Sequence, residues 1–200
     1  MRVKLCFVFA LLLVCVSAVA QHDHSQEAKK PQMDPKMMEA MMAAGTPGAP
    51  HKMLDGMAGT WNTKMTWWMM PGADPMSGEG LAENKWIMGG RYMEQRFTGT
   101  FSGMPFEGLG FTGYDNIKKQ YWGTWMDNMG TGMMLSTGKA NADGTMTFDA
   151  TYPDPMTGKD VKYEEKIKVI DADHTIFEMW APGPDGKMFK QMEIHYTRKK

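Results

Sequence analysis

Residues 53–70 read MLDGMAGTWNTKMTWWMM, and within this stretch the chain changes from helical to strand character. From Thr60 onward the side chains alternate between two faces, as they do along a β-strand whose two sides have different surroundings. The two faces are formed by Trp61, Met65, Trp67 and Met69 on one side and by Lys64, Thr66 and Trp68 on the other. The stretch therefore predicts a first strand over residues 60–70.

Downstream of this strand, segments rich in β-branched, aromatic and methionine residues alternate with turn sequences at intervals of about ten residues. Gly89-Gly90 and Asp143-Gly144 are among the dipeptides that favour tight hairpin turns. The further predicted strands are 79–88, 91–101, 106–114, 119–127, 132–140, 145–152, 160–170, 175–181 and 188–198. We predict an all-β fold, a single up-and-down antiparallel barrel of about ten strands, because closure removes exposed strand edges. A β-sandwich is the alternative.

The first twenty residues have the pattern of a secretory signal peptide. Arg2 and Lys4 give a positive start, residues 5–16 form the apolar run, and Ala18-Val19-Ala20 is a small-residue cleavage site. The apolar run is too short to span a bilayer, so no transmembrane segment is expected after cleavage. We predict a secreted protein, with the periplasm as its expected location.

Both cysteines, Cys6 and Cys15, lie inside this segment, so a chain beginning at Gln21 has neither a disulfide nor a thiol nucleophile. A lipid anchor at Cys15 is the alternative, but Val14 stands where lipoprotein processing favours a small residue. From Gln21 onward the chain has 20 basic and 23 acidic residues, a net charge of −3. This balance argues against a nucleic-acid partner.

Residues 21–50 are polar and rich in methionine, and they separate the signal peptide (1–20) from the predicted barrel domain (51–200). Asp34 as N-cap, Pro35 in the first turn and Gly45 at the end predict a short helix.

The same segment contains a candidate copper site, because thioethers suit Cu(I) and imidazoles suit Cu(II). On the predicted helix, spacings of three and four residues bring methionines onto neighbouring rows. The candidate metal ligands are His22, His24, Met37, Met38, Met41 and Met42. Cell-envelope copper binding or handling is therefore an alternative function. The structural alternatives are an amphipathic helix that packs its methionines against the barrel and a loosely attached tail.

Methionine is in excess along the whole chain, with 24 residues. Leucine, isoleucine and valine together number only twelve after residue 20. Because methionine fills cores well, the methionines beyond residue 60 are predicted to replace aliphatic core residues.

The GTW sequence at Gly59–Trp61 resembles the Gly-x-Trp entry of lipocalin-like (calycin) barrels. Such barrels often carry an arginine on the last strand stacked over that tryptophan, and the resemblance gives this role to Arg198 in HYTR. The motifs HKMLDGMAGTW, MPGADPMSGEG, MGGRYMEQRF, GMPFEGLGFTGYDN, YWGTWMDNMGTGM, DPMTGK and KQMEIHYTR occur in this order. Together they resemble an uncharacterised family of secreted bacterial proteins over residues 51–198. The resemblance implies fold and compartment but no activity.

A calycin-like barrel of this strand number is wide enough to enclose a small ligand. We expect its interior to contain Trp61, Met65, Trp67, Phe97, Phe111, Trp125 and Tyr196. Polar groups from the family-like motifs would orient the ligand, or form structural ion pairs. The predicted ligand-binding residues are Trp61, Met65, Trp67, Arg91, Glu94, Tyr114, Trp125, Asp127, Tyr196 and Arg198.

Enzyme signatures are weak in this sequence. GLGFTG (108–113) has the spacing of a dinucleotide loop but precedes a predicted turn and strand, not a helix. No serine lies in a Gly-x-Ser-x-Gly elbow, and the three histidines of residues 51–200 stand too far apart for a zinc motif. A haem-binding barrel that uses His195 is a minor alternative. The predicted function is binding of a small apolar or amphipathic molecule, not catalysis, with no cofactor required.

Overall fold

The computed structural model describes residues 33–154 and 157–200. Ten antiparallel strands form a closed barrel in which consecutive strands are neighbours and the first pairs with the last. The strands are β1 (Gly59–Trp67), β2 (Met76–Ile87), β3 (Tyr92–Phe101), β4 (Met104–Asp115), β5 (Gln120–Asp127), β6 (Met134–Ala140), β7 (Met146–Pro153), β8 (Asp160–Val169), β9 (His174–Pro182) and β10 (Met188–Arg198). The predicted up-and-down barrel is confirmed, and its predicted strands overlap the observed ones throughout.

Two helices and a 3₁₀ turn precede the barrel: α1 (Pro35–Gly45), α2 (Ala49–Lys52) and Asp55–Met57. The predicted short helix is confirmed as α1. The amide of Asn116, in the turn between β4 and β5, donates to the carbonyl oxygens of Ala43, Ala44 and Thr46. These bonds tie the C-terminal end of α1 to the barrel, because the last carbonyls of a helix lack partners within it. In the part of the chain that the structure describes, no helix is long and apolar enough to span a membrane.

Alternation along β1 sets the inner face of the barrel. Trp61, Thr63 and Met65 are buried, while the intervening Asn62 and Lys64 are exposed. Side chains opposite one another in register share a face of the sheet. The inner face can therefore be followed around the barrel from strand to strand.

One end of the barrel, where β1 begins and β10 ends, is closed by the segment that precedes β1. Leu54 in this segment is fully buried against Met93, Tyr121, Met146 and Phe148. The opposite end, where β1 ends, is hereafter called the open end. The barrel interior is therefore sealed from one side by the chain itself.

Arg198 and Trp61 fasten the closed end. The guanidinium carbon of Arg198 lies 4.1 Å from the centre of the Trp61 ring, and its Nη1 and Nη2 donate to the carbonyl oxygens of Ala58 and Gly56 at 2.7 and 2.9 Å. The Trp61 indole donates to the carbonyl oxygen of Met57 at 2.9 Å. The stacking implied by the resemblance is confirmed.

The expectation that Phe111 lies in the interior is wrong. Phe111 is opposite Glu94 in the β3–β4 register, on the outer face of the sheet. The inner positions beside it are Gly108 and Gly110, because the ring of Trp125 fills that space. A Cβ at Gly108 would lie only 2.2 Å from Trp125 Cζ2.

Simple alternation along 188–198 would place Met188 on the same face as Met192, and the structure does not. A bulge between Lys190 and Met192 shifts the β10 register, so the alternation does not continue to the start of the strand. Met188 is 37% exposed. Met69 lies beyond the end of β1, at Trp67, and is exposed rather than part of the inner wall.

Candidate functional site: the barrel interior

The interior contains a set of polar side chains on four strands, which we call the polar belt: Gln95 on β3, Ser136 on β6, Glu165 on β8 and Tyr196 on β10. Glu165 is opposite the buried residues Phe148 and Met179, so its side chain faces inward. Hydrogen bonds join Glu165 to Ser136 and Tyr196 to Gln95. The belt therefore spans the interior between non-adjacent strands.

Burial raises the pKa of the Glu165 carboxyl to about 7, while its hydrogen bond with Ser136 acts in the opposite direction. The shift is large because a charged carboxylate loses solvation inside the barrel without gaining a cationic partner there. Glu165 consequently changes charge close to neutral pH, which is unusual for a carboxylic acid.

Burial also raises the pKa of the Tyr196 phenol, to about 12, against the effect of its hydrogen bond with Gln95. The negative charge of Glu165 adds to this rise. Tyr196 is therefore a neutral hydroxyl that can both donate and accept a hydrogen bond.

Two threonine hydroxyls flank Tyr196 on the inner face. Thr63 and Thr175 are its register partners on β1 and β9, and they are 3% and 7% exposed. Within residues 33–154 and 157–200, neither Oγ1 atom has a hydrogen-bond partner, and the same holds for the Trp67 indole nitrogen. Buried polar atoms without partners are rare in proteins, because each costs about 1–3 kcal/mol.

Apolar clusters lie on both sides of the polar belt. Tyr196 packs against a cluster that includes Trp61, Met65 and Phe97. Phe148, opposite Glu165, belongs to the cluster at the closed end. The interior thus combines apolar walls with a few converging polar groups, which is the composition of small-molecule sites.

Accessible surface remains inside the barrel. Glu165 and Tyr196 are surrounded by protein, yet both side chains are only half-buried by their accessible surface. Since both side chains point to the inner face, this surface belongs to the inner side of the barrel wall.

A cavity of about 450 Å³ lies beside the paired strands β7 and β8 near the open end. Ala150 and Tyr163 in its lining belong to the inner face. The other lining residues belong to the outer face: Asp149, Thr151, Lys162, Glu164 and Met188. Most of the cavity lining therefore faces outward, away from Glu165 and Tyr196.

Several predicted ligand-binding residues do lie on the inner face. Trp61, Met65 and Tyr196 belong to one interior cluster or pack against it, as does Trp125. Trp67 follows them along β1 toward the open end.

Tyr114 and Asp127 lie at opposite ends of the interior. The Tyr114 ring packs 4.9 Å from Tyr121 and 5.8 Å from His51, both in the closed end. Asp127, at the end of β5, accepts a hydrogen bond from the Trp125 indole at 2.9 Å. Asp127 thereby fixes the orientation of Trp125.

The remaining predicted residues lie elsewhere. Glu94 is on the outer face, 2.8 Å from Arg96 and 3.3 Å from Lys85. Burial opposes ionisation of Glu94, but hydrogen bonds from Arg96 and Lys85 hold its pKa below the ordinary value. Arg91 donates to the carbonyl oxygen of Met88 in a turn, and Arg198 closes the end of the barrel. The structure does not bring these three charges into the interior.

Glu165, the charged member of the polar belt, was not among the residues expected at a site. Its strand, DVKYEEKIKV, nevertheless carries the signal. Val161, Tyr163, Ile167 and Val169 alternate with charged residues, and Glu165 is the one acid on the apolar face. A carboxyl group at such a position indicates a special role for that side chain.

The structure describes four of the six proposed copper ligands. His22 and His24 lie outside the described residues. Met37, Met38, Met41 and Met42 are on α1, and each is between 46% and 64% exposed. Burial of these methionines against the barrel, one of the two structural alternatives, does not hold for α1, which has no buried residue. Among the described residues, no group of three histidine, cysteine or acidic side chains is arranged to hold a metal ion.

A family model described as "Protein of unknown function (DUF1579)" matches residues 46–198. The chain belongs to this family. The family resemblance inferred from the ordered motifs is therefore confirmed for its sequence range. A comparison with curated proteins found no match.

Solved structures with the same barrel are distant in sequence. The S-type phycobiliprotein lyase CPES from Guillardia theta has a TM-score of 0.57 and 10% identity, covering 80% of this chain and 97% of that one. Rv2717c from M. tuberculosis has a TM-score of 0.53 and 12% identity, covering 77% of this chain and 100% of that one. At these identities the similarity shows the fold alone.

Proposed function

We propose that this protein is a secreted binding protein that holds one small, mostly apolar or amphipathic molecule inside its barrel. The observation that carries the proposal is the polar belt. Glu165 and Tyr196 face inward beside apolar clusters, and both side chains retain accessible surface. A core that served only to stabilise the fold would not place polar groups there, because their burial costs free energy.

The arrangement favours binding over catalysis. The apolar clusters supply contact area for the body of a ligand, and aromatic rings contribute strongly to such contacts. The neutral hydroxyl of Tyr196, whose side chain retains accessible surface, offers a hydrogen bond to its polar end.

Secretion is part of the proposal and rests on the signal-peptide pattern of residues 1–20. Mass spectrometry of the protein expressed in a bacterial host should give an N-terminus at Gln21 in the envelope fraction. An intact Met1 in the cytosolic fraction would contradict this part.

The binding proposal is tested with Nile red, a neutral dye that fluoresces in apolar surroundings. The full chain should bind it with saturation, and tryptophan fluorescence should change in parallel because Trp61, Trp67 and Trp125 lie on the inner face. Native mass spectrometry of protein purified from its own envelope should also reveal a retained small molecule. Absence of saturable dye binding together with absence of a retained molecule would overturn the proposal.

A pair of variants on one strand localises the site. Ser136→Leu changes a buried inward side chain, whereas Thr137→Leu changes its exposed outward neighbour. Dye affinity should fall at least about fivefold in the first variant and remain unchanged in the second, since only the first alters the interior. Equal affinity in both folded variants would place the dye outside the barrel and remove the assignment to the interior.

A second candidate function is copper binding by the methionine-rich segment. The observation that favours it is the exposure of four methionines on α1, where burial cannot explain them. Thioether sulfur is a soft ligand suited to Cu(I). His22 and His24 would complete the ligand set proposed from the sequence.

Titration of the full chain with Cu(I) against a coloured chelator tests this candidate. The variant with leucine at Met37, Met38, Met41 and Met42 should lose binding, while a control with leucine at four other exposed methionines should keep it. The control positions are Met53, Met69, Met70 and Met88. Affinity that is millimolar or weaker, or equal in the two variants, would exclude a copper site on α1.

A further inference from the structure

We infer that the barrel interior selects ligands with a basic polar end, such as a protonated amine or amidine, and that Glu165 is the residue that pairs with it. This inference rests on the proposed binding function, whose ligand class it specifies. The ligand would place its apolar body against the aromatic walls and its cation at the polar belt.

The charged side chains on the inner face of the barrel are mainly acidic. On the inner faces of the ten strands, within the residues that the structure describes, the ionised or ionisable acids are Glu165 and Asp127. The only arginine on that face is Arg198, at the closed end of the barrel. Three backbone carbonyls and the Trp61 ring already occupy its guanidinium group. No described lysine or histidine side chain lies among the inner-face positions of the strands.

The neighbours of Glu165 leave its negative charge uncompensated. From β7 and β9 it faces the apolar side chains of Phe148 and Met179. From β6 it receives a hydrogen bond from Ser136, and from β10 it faces the neutral phenol of Tyr196. A cation brought by a ligand would therefore supply the missing partner.

The same arrangement disfavours acidic ligands. A fatty-acid carboxylate would enter a space that contains a carboxyl group and lacks a free cation, so one of the two acids would have to stay protonated. A neutral alcohol would gain hydrogen bonds but no ion pair. An ammonium group has three N–H donors, and Glu165 with the hydroxyl of Tyr196 offers oxygen acceptors on the same inner face.

The titration of Glu165 gives the selectivity a pH dependence. Alkylamines remain protonated between pH 6 and 8, whereas Glu165 loses its proton near pH 7. Affinity for an amine should therefore rise over this interval and level off above it. Affinity for an alcohol of the same length should not rise.

The test uses a matched set of octylamine, octanol and octanoate, each displacing Nile red from the full chain. At pH 8 the amine should displace the dye at a concentration at least about tenfold below that of octanoate, which is the effect of one charge pair of modest strength. Glu165→Gln should reduce the advantage of the amine over the alcohol to less than about twofold. Glu83→Gln, which alters an exposed acid on the outer face of β2, should leave the advantage intact.

The outcomes separate this inference from the proposed function. Displacement by all three compounds at equal concentrations, or preferential displacement by octanoate, would overturn the choice of a basic ligand while leaving a binding barrel in place. Absence of saturable dye binding together with absence of a retained molecule would overturn both. Should Glu165→Gln fail to fold, the pH profile of the amine against the alcohol in the unaltered protein decides, because a flat profile for both excludes pairing with Glu165.

Discussion

The guanidinium of Arg198 lies over the Trp61 ring at 4.1 Å and joins the last strand of the barrel to the first. The same group donates hydrogen bonds to the carbonyl oxygens of Ala58 and Gly56, which lead into β1. One side chain thus fixes the position of the segment that closes the barrel.

Replacement of Arg198 by alanine should destabilise the protein by about 2–4 kcal/mol, because hydrogen bonds to a charged group and the cation–π contact are lost together. Urea unfolding followed by tryptophan fluorescence measures the change. Arg198→Lys should recover less than half of the loss, since lysine cannot reproduce the planar fork of donors. A free energy of unfolding within about 0.5 kcal/mol of the original for Arg198→Ala would refute this role.

Alanine at Gly108 should destabilise the barrel by about 1–3 kcal/mol, the usual cost of overpacking a core. Its Cβ would stand 2.2 Å from Trp125 Cζ2, so the indole would have to move away from its bond with Asp127. Thermal unfolding and the emission maximum of the tryptophans report the two effects. Gly45→Ala is the matched control, because nothing lies within 4 Å of the added methyl and stability should change little.

The pKa of Glu165, about 7 in the folded chain, predicts that stability falls as pH rises. The folded state binds the proton more tightly than the unfolded state, whose carboxyl has a pKa near 4.5. Stability from this group is therefore full below about pH 4.5 and declines until about pH 7, by about 3 kcal/mol in total.

The difference in free energy of unfolding between the original protein and Glu165→Gln isolates this effect. The pKa values of surface carboxyls are lowered mainly by hydrogen bonds, as for Asp115, Asp143 and Asp171. The stability that these groups contribute to the fold is therefore lost only in more acidic solution. A difference that stays constant between pH 4.5 and 7.5 would show that Glu165 is solvated like an ordinary carboxyl.

Removal of the Asn116 side chain should release α1 from the barrel. The side-chain amide donates hydrogen bonds to the carbonyl oxygens of Ala43, Ala44 and Thr46, and Asn116→Ala loses them. Limited proteolysis should then cleave residues 35–47 several times faster, while the unfolding midpoint of the barrel shifts little, because α1 has no buried residue. Unchanged cleavage would mean that other contacts hold the helix.

The barrel itself was predictable because its two strongest signals are local. Alternation gives the strands, and dipeptides such as Asp143-Gly144 give the turns. The stack of Arg198 on Trp61 followed from the family resemblance. Phe111 was assigned to the wrong face because glycines on the inner side of β4 make room for a ring from β5, a relation between strands that no single strand reveals.

The polar interior was harder to predict. The sequence motifs predicted that charged residues beside glycines and tryptophans would orient a ligand. In the structure, Glu94 instead forms an ion-pair cluster on the outer face, and Arg91 belongs to a turn. Glu165 stands in a strand with many charges, and only its parity along the strand distinguishes it from Glu164. Its partners, Ser136 and Tyr196, come from strands that are distant in sequence, so their meeting depends on the closed register of the barrel.

The segment that contains Leu54 closes one end of the barrel. Under the proposed function, a molecule bound at Glu165 could not leave through that end, so entry and exit would take place on the same side of the polar belt. Replacement of one bound molecule by another would then require the first to leave before the second enters, and the rate of exchange would not rise with the concentration of the second.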